Sequence, residues 1–218
     1  MIDIPPVLAD FLLPFLFLSG LGFIAAFFKS RWFKGWMGEK LVSFALSMRL
    51  SKRKYHLINN VTLPTEAGTT QIDHILISRF GLFVIETKNM TGWIFGSARQ
   101  RQWTQKVYKK SYQFQNPLHQ NDRHTKALAR CLKVRNKVFH SVVVFVGDSV
   151  FKTQMPENVI HASRLIRFVK ARKEVVYSDG QVQKLVQQLA ACRLAPTLKT
   201  RRQHIRHVRS VRESKAGG

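Results

Sequence analysis

The sequence is short of acidic residues and of cysteine, and each shortage restricts what the protein can be. Its 218 residues contain 12 Asp and Glu against 36 Lys and Arg, which gives a net charge of +24. So large a basic excess favours a polyanionic partner, nucleic acid first and an anionic membrane surface second. The two cysteines, Cys131 and Cys192, stand far apart and form no C-x-x-C pair. We therefore expect neither a zinc motif nor a disulfide framework, which suits a reducing compartment.

Charge is also missing from residues 11–28, which are mostly apolar and long enough for a candidate transmembrane helix. The segment before them holds Asp3 and Asp10 but no Lys or Arg. A cleaved signal peptide wants positive charge at that place, so we expect an uncleaved transmembrane helix. The alternative is a buried helix of a soluble core.

Positive charge follows this apolar run at once, at Lys29, Arg31 and Lys34. Because such charges mark the cytoplasmic side of a membrane, we expect the remainder of the chain to lie in the cytoplasm. The sequence thus predicts a transmembrane anchor over residues 1–29 and a basic juxtamembrane linker over residues 30–37. The expected location is the cell inner (plasma) membrane, which the chain crosses once.

Two strands folded back on each other are predicted for residues 69–88. Both halves of this stretch are rich in β-branched and aromatic residues, and the break between them contains Gly81. If residues 79–80 form a two-residue turn, Ser78 pairs with Gly81. This register fixes which side chains of the two strands share a face.

Three polar side chains interrupt these apolar strands. On the predicted register Asp73 falls opposite Glu86, and Lys88 shares the face of Glu86 because it lies two residues further on. Two carboxylates so close on a buried sheet repel each other unless they are paired or coordinated. A divalent metal resolves that conflict, and Mg²⁺ favours carboxylate oxygens. The alternative is a structural ion pair of Lys88 with one carboxylate on an edge strand, and the spacing alone leaves both possibilities open.

The order of the remaining elements predicts an α/β fold in which helices pack around one mixed sheet. A strand of continuous apolar residues at 139–146 is typical of a sheet centre that is covered on both faces. The other predicted elements are a helix at 38–50, strands at 55–63, 92–96 and 158–162, a hairpin after residue 96, and helices at 117–133, 163–170 and 181–191, with a break at Asp179 and Gly180.

The predicted hairpin is basic and aromatic, and such a mixture suits phosphates and bases. The alternative is a solvated hairpin with an aromatic core face. Its candidate nucleic-acid-binding cations are Arg99, Arg101, Lys106, Lys109 and Lys110, and they alternate with Trp103, Tyr108 and Tyr112.

Four blocks of the sequence resemble the nuclease-related domain called NERD, which is grouped with the PD-(D/E)xK nuclease-like fold. The match runs in order over roughly residues 38–132, and we place a NERD nuclease-like domain at 38–192 and a basic tail at 193–218. The resemblance implies a restriction-endonuclease-like mixed sheet flanked by helices, here preceded by one transmembrane helix. The blocks are GEKLVSFAL at 38–46, TQIDHILISRFGLFVIETKNMTGWIFG at 70–96, Trp103, and FQNPLHQNDRHTKAL at 114–128.

Roles for five residues follow from this resemblance. It implies that Asp73 and Glu86 bind a divalent metal, Mg²⁺ or Mn²⁺, and that Lys88 assists the attacking water. Glu39 matches the glutamate of the family's early helix, which makes it a candidate third ligand or water-orienting group. Its alternative role is to interact with the helix dipole. Gln120 matches the glutamine of the N-P-x-x-Q-N block and would orient Lys88 or a phosphate.

The expected function is that of a membrane-anchored nuclease that hydrolyses phosphodiester bonds, with DNA expected before RNA. The alternative is a membrane-tethered, non-catalytic module that binds nucleic acid or another partner. Clustered carboxylates repel phosphate, so the acidic set argues against a module that only binds nucleic acid. We expect Trp103 and Asn116 to pack and to cap a helix, His74 to face away from Asp73, and His124 to be solvated.

Overall fold

Helices cover both faces of a five-stranded mixed sheet in the computed structural model of this chain. The structure describes residues 6–66, 68–197, 200, 202 and 205–206. The strands of this first sheet are β1 (Tyr55–Thr65), β2 (Gly68–Ser78), β3 (Gly81–Asn89), β7 (Phe139–Val146) and β9 (Val159–His161). Their order is β1-β2-β3-β7-β9, antiparallel from β1 to β3 and parallel from β3 to β9.

A second sheet of four strands corrects the expectation of a single sheet. The β3–β7 ribbon continues into it, because Met90 N–H donates to Val146 O at 3.0 Å and Gly92 N–H donates to Asp148 O at 2.9 Å. Gly92 and Gly147 have φ of +79° and +88°, which turn both strands at this point. The strands, in spatial order, are β6 (Lys110–Gln115), β5 (Gln102–Val107), β4 (Gly92–Phe95) and β8 (Ser149–Phe151).

Five α-helices accompany the sheets within the described residues: α1 (Pro6–Lys29), α2 (Arg31–Arg49), α3 (Pro117–Leu132), α4 (Leu165–Lys170) and α5 (Asp179–Cys192). One core packs α2 and α4, through Leu46 and Leu165, against one face of the first sheet. Another packs α3 and α5, through Leu128 and Leu185, against the opposite face. β7 is buried between these layers, as its apolar run predicts.

The chain divides into two compact units, residues 1–37 and residues 38–218. Among the described residues, no single helix is both long and apolar enough to cross a membrane. Two helical stretches bent by 54° relative to each other, Pro14–Lys29 and Trp32–Arg49, meet that requirement together. Most of the predicted basic tail lies outside the described residues, as do residues 1–5 of the predicted anchor.

Helix ends show where local sequence signals were complete and where one was missed. α3 begins at Pro117 with Asn116 as its N-cap, and the Asn116 side chain accepts from Leu118 N–H, as predicted. The break predicted at Asp179 and Gly180 is wrong, because both residues lie in the first turn of α5. Ser178 and Gln181 form a capping box there, and this signal outweighs the turn character of the Asp-Gly pair.

The two cysteines form a disulfide, which corrects the expectation that the chain has none. Cys131 is the penultimate residue of α3 and Cys192 is the last residue of α5, and their Cα atoms are 6.0 Å apart. They stand 61 residues apart in the sequence, so only the packing of α3 against α5 brings them together. The argument for a reducing compartment from unpaired cysteines therefore no longer holds.

Loss of this disulfide should lower the stability of the full-length chain. A cross-link that closes a loop of 61 residues stabilises a fold by about 2–4 kcal/mol, chiefly through the unfolded state. We expect reduction with dithiothreitol to lower the free energy of unfolding by about that amount. Urea unfolding of the chain in mild detergent, followed by circular dichroism, measures it.

The double variant Cys131→Ser/Cys192→Ser is the control, because its unfolding should be insensitive to the reductant. Identical unfolding midpoints for the oxidised and the reduced wild type would contradict a stabilising cross-link.

Candidate active site

The candidate site lies where β2 and β3 begin to separate. Ser78 pairs with Gly81 as predicted, and the ladder runs from there to the pair His74 and Ile85. Asp73 and Glu86 occupy the next position of this register, just beyond the last paired residues. Here a side-chain hydrogen bond takes the place of a backbone hydrogen bond between the strands, because Asp73 Oδ2 accepts from the backbone N–H of Thr87 at 2.8 Å.

Glu86 is buried and each of its carboxylate oxygens has a partner. Lys88 Nζ lies 2.6 Å from Oε1, and His124 Nε2 lies 3.2 Å from Oε2. Because only 2% of the Glu86 side chain is exposed, these two contacts replace the water that would otherwise solvate its charge. Glu86 is therefore held in one position from both sides.

Gln120 completes the group from α3. Lys88 Nζ donates to Gln120 Oε1 at 2.9 Å, so the ammonium bridges Glu86 and Gln120. This contact is the geometry that Gln120 would need to orient Lys88, as predicted. Only 20% of the Lys88 side chain is exposed, which leaves its ammonium reachable from solvent at the edge of the site.

Asparagines fix α3 in the place that this contact requires. The amide nitrogen of Asn116 donates to the carbonyls of Ser97, Ala98 and Gln100 at 2.6–3.2 Å. That of buried Asn121 donates to the carbonyls of Val84 and Val142 and to the hydroxyl of Ser141. Asn121 thereby ties α3 to both β3 and β7.

Helical spacing places His124 within reach of Gln120, as the structure has it, but the solvated role predicted for His124 is wrong. The ring is 4% exposed, and its Nδ1 lies 2.8 Å from the hydroxyl of Thr70. Donation from Nε2–H to Glu86 makes Nδ1 the acceptor for Thr70, an assignment taken from the hydrogen-bond network. His124 lies one helical turn after Gln120, and this i,i+4 spacing was the signal available in the sequence.

Electrostatics distinguish the two carboxylates. Burial and the charges of Glu86 and Glu39 raise the pKa of Asp73 well above its ordinary value, against the N–H of Thr87 and the charge of Lys88. Burial also raises the pKa of Glu86, but Lys88 and His124 outweigh it and lower that pKa to about 2. Lys88 and His124 thus stabilise the charge of Glu86, whereas the charge of Asp73 is stabilised much less.

Glu39 reaches the same region from α2. Burial and the charge of Glu86 raise the pKa of Glu39, which puts the three carboxylates within electrostatic range of one another. In the described part of the chain, however, no group of three or more His, Cys, Asp or Glu side chains is arranged to hold a metal ion. A metal at this site would rest on fewer such ligands, with backbone oxygens or water completing its coordination.

His74 faces the other side of β2, as predicted. It is 1% exposed, its Nδ1 lies 2.8 Å from Asn59 Oδ1, and its Nε2 has no partner among the described residues. Burial lowers its pKa to about 4 despite the charge of Glu86, so the ring is neutral at physiological pH. His74 is a core residue of the strand.

The five predicted nucleic-acid-binding cations lie on the second sheet and its loops, and all are exposed. Arg99 and Arg101 precede β5, Lys106 lies on it, and Lys109 and Lys110 follow at the hairpin turn. The aromatic residues divide differently: Trp103 is fully buried, which confirms its predicted packing role, whereas Tyr108 is 95% exposed.

Comparisons with known proteins agree with the resemblance found in the sequence. The family model described as "NERD: Nuclease-related domain" matches residues 34–146. An uncharacterized protein of Bacillus anthracis is 38% identical over an alignment of 156 residues. The match covers 69% of this chain and 72% of that protein. No solved structure matches the chain.

Two isosteric substitutions should change the stability of the metal-free protein in opposite directions at pH 7. The pKa of Asp73 is raised in the fold, so its ionised form costs stability above the pKa of the unfolded chain, and Asp73→Asn removes that cost. The pKa of Glu86 is lowered, so its ionised form contributes stability that Glu86→Gln removes. We expect Tm in EDTA to rise for Asp73→Asn and to fall for Glu86→Gln, each by about 2–4 °C per kcal/mol.

Asp122→Asn is the matched control, since this exposed carboxylate pairs with exposed Lys126 on the surface of α3 and should leave Tm nearly unchanged. A decrease of Tm in both site variants would mean that the two carboxylates are equivalent in the fold.

Proposed function

Because the chain belongs to the nuclease-related domain family, we propose that it is a membrane-anchored, metal-dependent nuclease that hydrolyses phosphodiester bonds of nucleic acid. A mixed sheet covered by helices on both faces supports a place in the restriction-endonuclease-like, PD-(D/E)xK group. The observation that carries the proposal is the meeting of Asp73, Glu86 and Lys88 beside Gln120, with the charge of Asp73 left without sufficient cationic support.

The oxygen donors of the site fit Mg²⁺ or Mn²⁺. A carboxylate oxygen has about two lone-pair positions, so each Glu86 oxygen keeps one beside its hydrogen bond. Asp73 Oδ1 accepts no hydrogen bond from the described residues, and burial with the charges of Glu86 and Glu39 raises the pKa of Asp73, a shift that a bound cation would oppose. Asp73 and Glu86 would hold the metal, and Glu39, the candidate third ligand of the sequence analysis, would instead orient a water bound to it. The bound ion would polarise a phosphate and lower the pKa of a coordinated water.

Lys88 is the residue that we assign to the attacking water and to the charge of the transition state. An ammonium has three N–H donors, and Glu86 and Gln120 accept two of them. The third is available for a water or for a phosphate oxygen, where a compact point charge stabilises the developing negative charge. Gln120 and His124 are positioning residues in this scheme, because one holds Lys88 and the other holds Glu86.

The overall charge supports nucleic acid as the substrate, and we propose DNA before RNA. A net charge of +24 attracts a polyanion from a distance, and the exposed cations of the second sheet offer contacts to its phosphates. A non-catalytic binding module remains the alternative, and it would leave the crowding of carboxylates at the site without a purpose.

Membrane anchoring through residues 1–29 is the second part of the proposal, although within the described residues only the bent pair Pro14–Lys29 and Trp32–Arg49 is long and apolar enough to span. Residues 11–28 carry no charge, and α1 exposes many large apolar side chains. Exposure of so much apolar surface to water is unfavourable, and a lipid environment would cover it. Phe27, Phe28 and Phe33 then cluster with ring centroids 4.8–5.9 Å apart, next to Trp32, and aromatic residues favour the membrane interface. The cations that follow this segment support a nuclease domain on the cytoplasmic side of the inner (plasma) membrane, as we propose.

Cleavage should require both the metal and the acidic pair. We expect the full-length chain in mild detergent to cleave labelled DNA or RNA in Mg²⁺ or Mn²⁺ and to cleave neither in EDTA. Asp73→Asn and Lys88→Met should each lower the rate by about 10²–10³-fold, as expected when one charged group of the transition state is lost. Time courses on single-stranded DNA, duplex DNA and RNA measure the rates.

Asp122→Asn and Lys126→Met are the charge-matched controls on the exposed side of α3, and they should cleave at the wild-type rate. Equal rates for wild type and Asp73→Asn would identify the activity as a contaminant. Tight binding without cleavage in either metal would favour the non-catalytic module.

The anchor predicts that the chain stays with membranes after extraction at high salt and alkaline pH, since apolar burial does not depend on charge. Peripheral binding through basic residues alone would be released by salt. Alkylation of thiols in intact cells gives a second readout of location. Cys131 and Cys192 should be mostly reduced in the cytoplasm and paired outside it. Release of the chain by salt would contradict the anchor.

A further inference from the structure

The second sheet presents one open face, which lies opposite its buried face. Ile94 and Trp103 point into a core with Phe145, so the alternate residues of the same strands point outward. Trp93 pairs directly with Lys106 on that outward face, and it also pairs with Val150 of β8. The remaining outward positions on the paired strands are Phe95, Gln102, Thr104, Ser111, Gln113 and Gln115.

This part of the chain is entirely without acidic residues. From the start of β4 to the end of β6, residues 92–115, the sequence contains five Lys or Arg and no Asp or Glu. Lys152, directly after β8, adds a further cation to the same face. The face is therefore complementary to a polyanion rather than to a protein surface of mixed charge.

Trp93 has an exposed aromatic ring, and the ammonium groups of two lysines lie near it. The ring is 46% exposed, Lys152 Nζ lies 4.5 Å from its centroid and Lys106 Nζ lies 5.8 Å from it. An aromatic ring flanked by ammonium groups is the arrangement on which a nucleobase stacks while the neighbouring phosphates meet the cations. In the free protein the two lysine ammonium groups lie against the Trp93 ring, where the base and its phosphates would bind.

An open cleft of about 600 Å³ continues this face beyond Phe95. Hydroxyl, amide and guanidinium groups line it, among them those of Thr104, Gln113 and Arg101. Such groups can donate to and accept from base edges and can donate to phosphates. The cleft thus offers a continuation for the chain of nucleotides that begins on Trp93.

The open face is tied to the candidate active site by the backbone. Trp93 follows Lys88 by five residues on a nearly continuous strand, so their Cα atoms are separated by at most about 17 Å. The hydrogen bonds from Met90 to Val146 and from Gly92 to Asp148 hold this connection to β7 and β8. The open face and the candidate active site thus belong to one continuous stretch of backbone.

We propose that the open face of the second sheet binds single-stranded nucleic acid, with one base stacked on Trp93 and the adjacent phosphates on Lys106 and Lys152. The inference rests on the proposed nuclease function and names the form of its substrate. Single strands are selected because a base in a duplex is stacked on both sides and offers no free face to an indole ring. The cations bind the backbone of either form, whereas the ring adds affinity for the unpaired form.

Fluorescence anisotropy with the full-length chain in EDTA tests this without any need for cleavage. The probes are a labelled single-stranded oligonucleotide and the blunt duplex of the same sequence, each titrated over a range of salt. We expect Trp93→Val, which keeps a β-former but removes the ring, to weaken single-strand binding by roughly 5- to 100-fold. Trp93→Phe should retain most of the affinity, and the duplex should bind both variants as it binds the wild type.

Salt dependence separates the ring from the lysines. Lys106→Gln and Lys152→Gln should each reduce the slope of log affinity against log salt by about 0.7, because each removes one phosphate contact on a single strand. Trp93→Val should leave that slope unchanged while it lowers the affinity. Lys184→Gln, an exposed lysine on α5, is the charge-matched control and should alter neither quantity beyond the loss of one distant charge.

Unchanged single-strand affinity of Trp93→Val, or an equal loss for duplex and single strand, overturns the inference. Its failure is distinct from failure of the nuclease proposal. Binding that depends on Trp93 without cleavage of any substrate removes the nuclease and keeps the face. Cleavage that depends on Asp73, with the same KM for single strands in wild type and Trp93→Val, keeps the nuclease and removes the face.

Discussion

The two-residue turn between β2 and β3 is the constraint on which the rest of the site depends. It pairs Ser78 with Gly81, and that register carries Asp73 and Glu86 to the same level and onto the face covered by α3. A shift of one residue would transfer each strand's side chains to the opposite face, under α2 and α4. Glu86 would then lose its contact with the His124 imidazole, and Lys88, which moves with Glu86 on the same strand, would lose its contact with Gln120.

Unequal treatment of the two carboxylates is the chemical outcome of this register. Glu86 receives Lys88 and His124, and its pKa falls, whereas Asp73 receives one backbone N–H and the repulsion of its neighbours, and its pKa rises. A fold selected for stability alone would have no reason to keep Asp73 in this position. Its retention is explained if another cation joins the site when the protein works, which is the general pattern of functional sites that reduce stability.

Local signals in the sequence were sufficient for much of the fold. Alternation and a glycine break gave the β2–β3 register, an Asn-Pro pair gave the start of α3, and a continuous apolar run gave β7.

Interactions between distant segments were not readable in the same way. The Cys131–Cys192 disulfide, the contact of His124 with Glu86 and the division into two sheets each depend on how helices and strands dock. Docking has no signature in the spacing of a single segment, and the exposure of Trp93 escaped prediction for this reason. The family resemblance supplied the partners of Lys88, but it did not supply the partners of Glu86 on α3.

The separation of the site's parts along the chain has a consequence for the order in which the protein folds. The β2–β3 hairpin closes within one short stretch, and such hairpins form in about 1–10 μs. The α3 partners of Lys88 and Glu86 are 32 and 38 residues further along, respectively, and β3 must also pair in parallel with β7. Contacts of such long range form slowly because loop closure must precede them. The hairpin thus brings Asp73, Glu86 and Lys88 together first, and the contacts of Gln120 and His124 complete the site only when α3 docks.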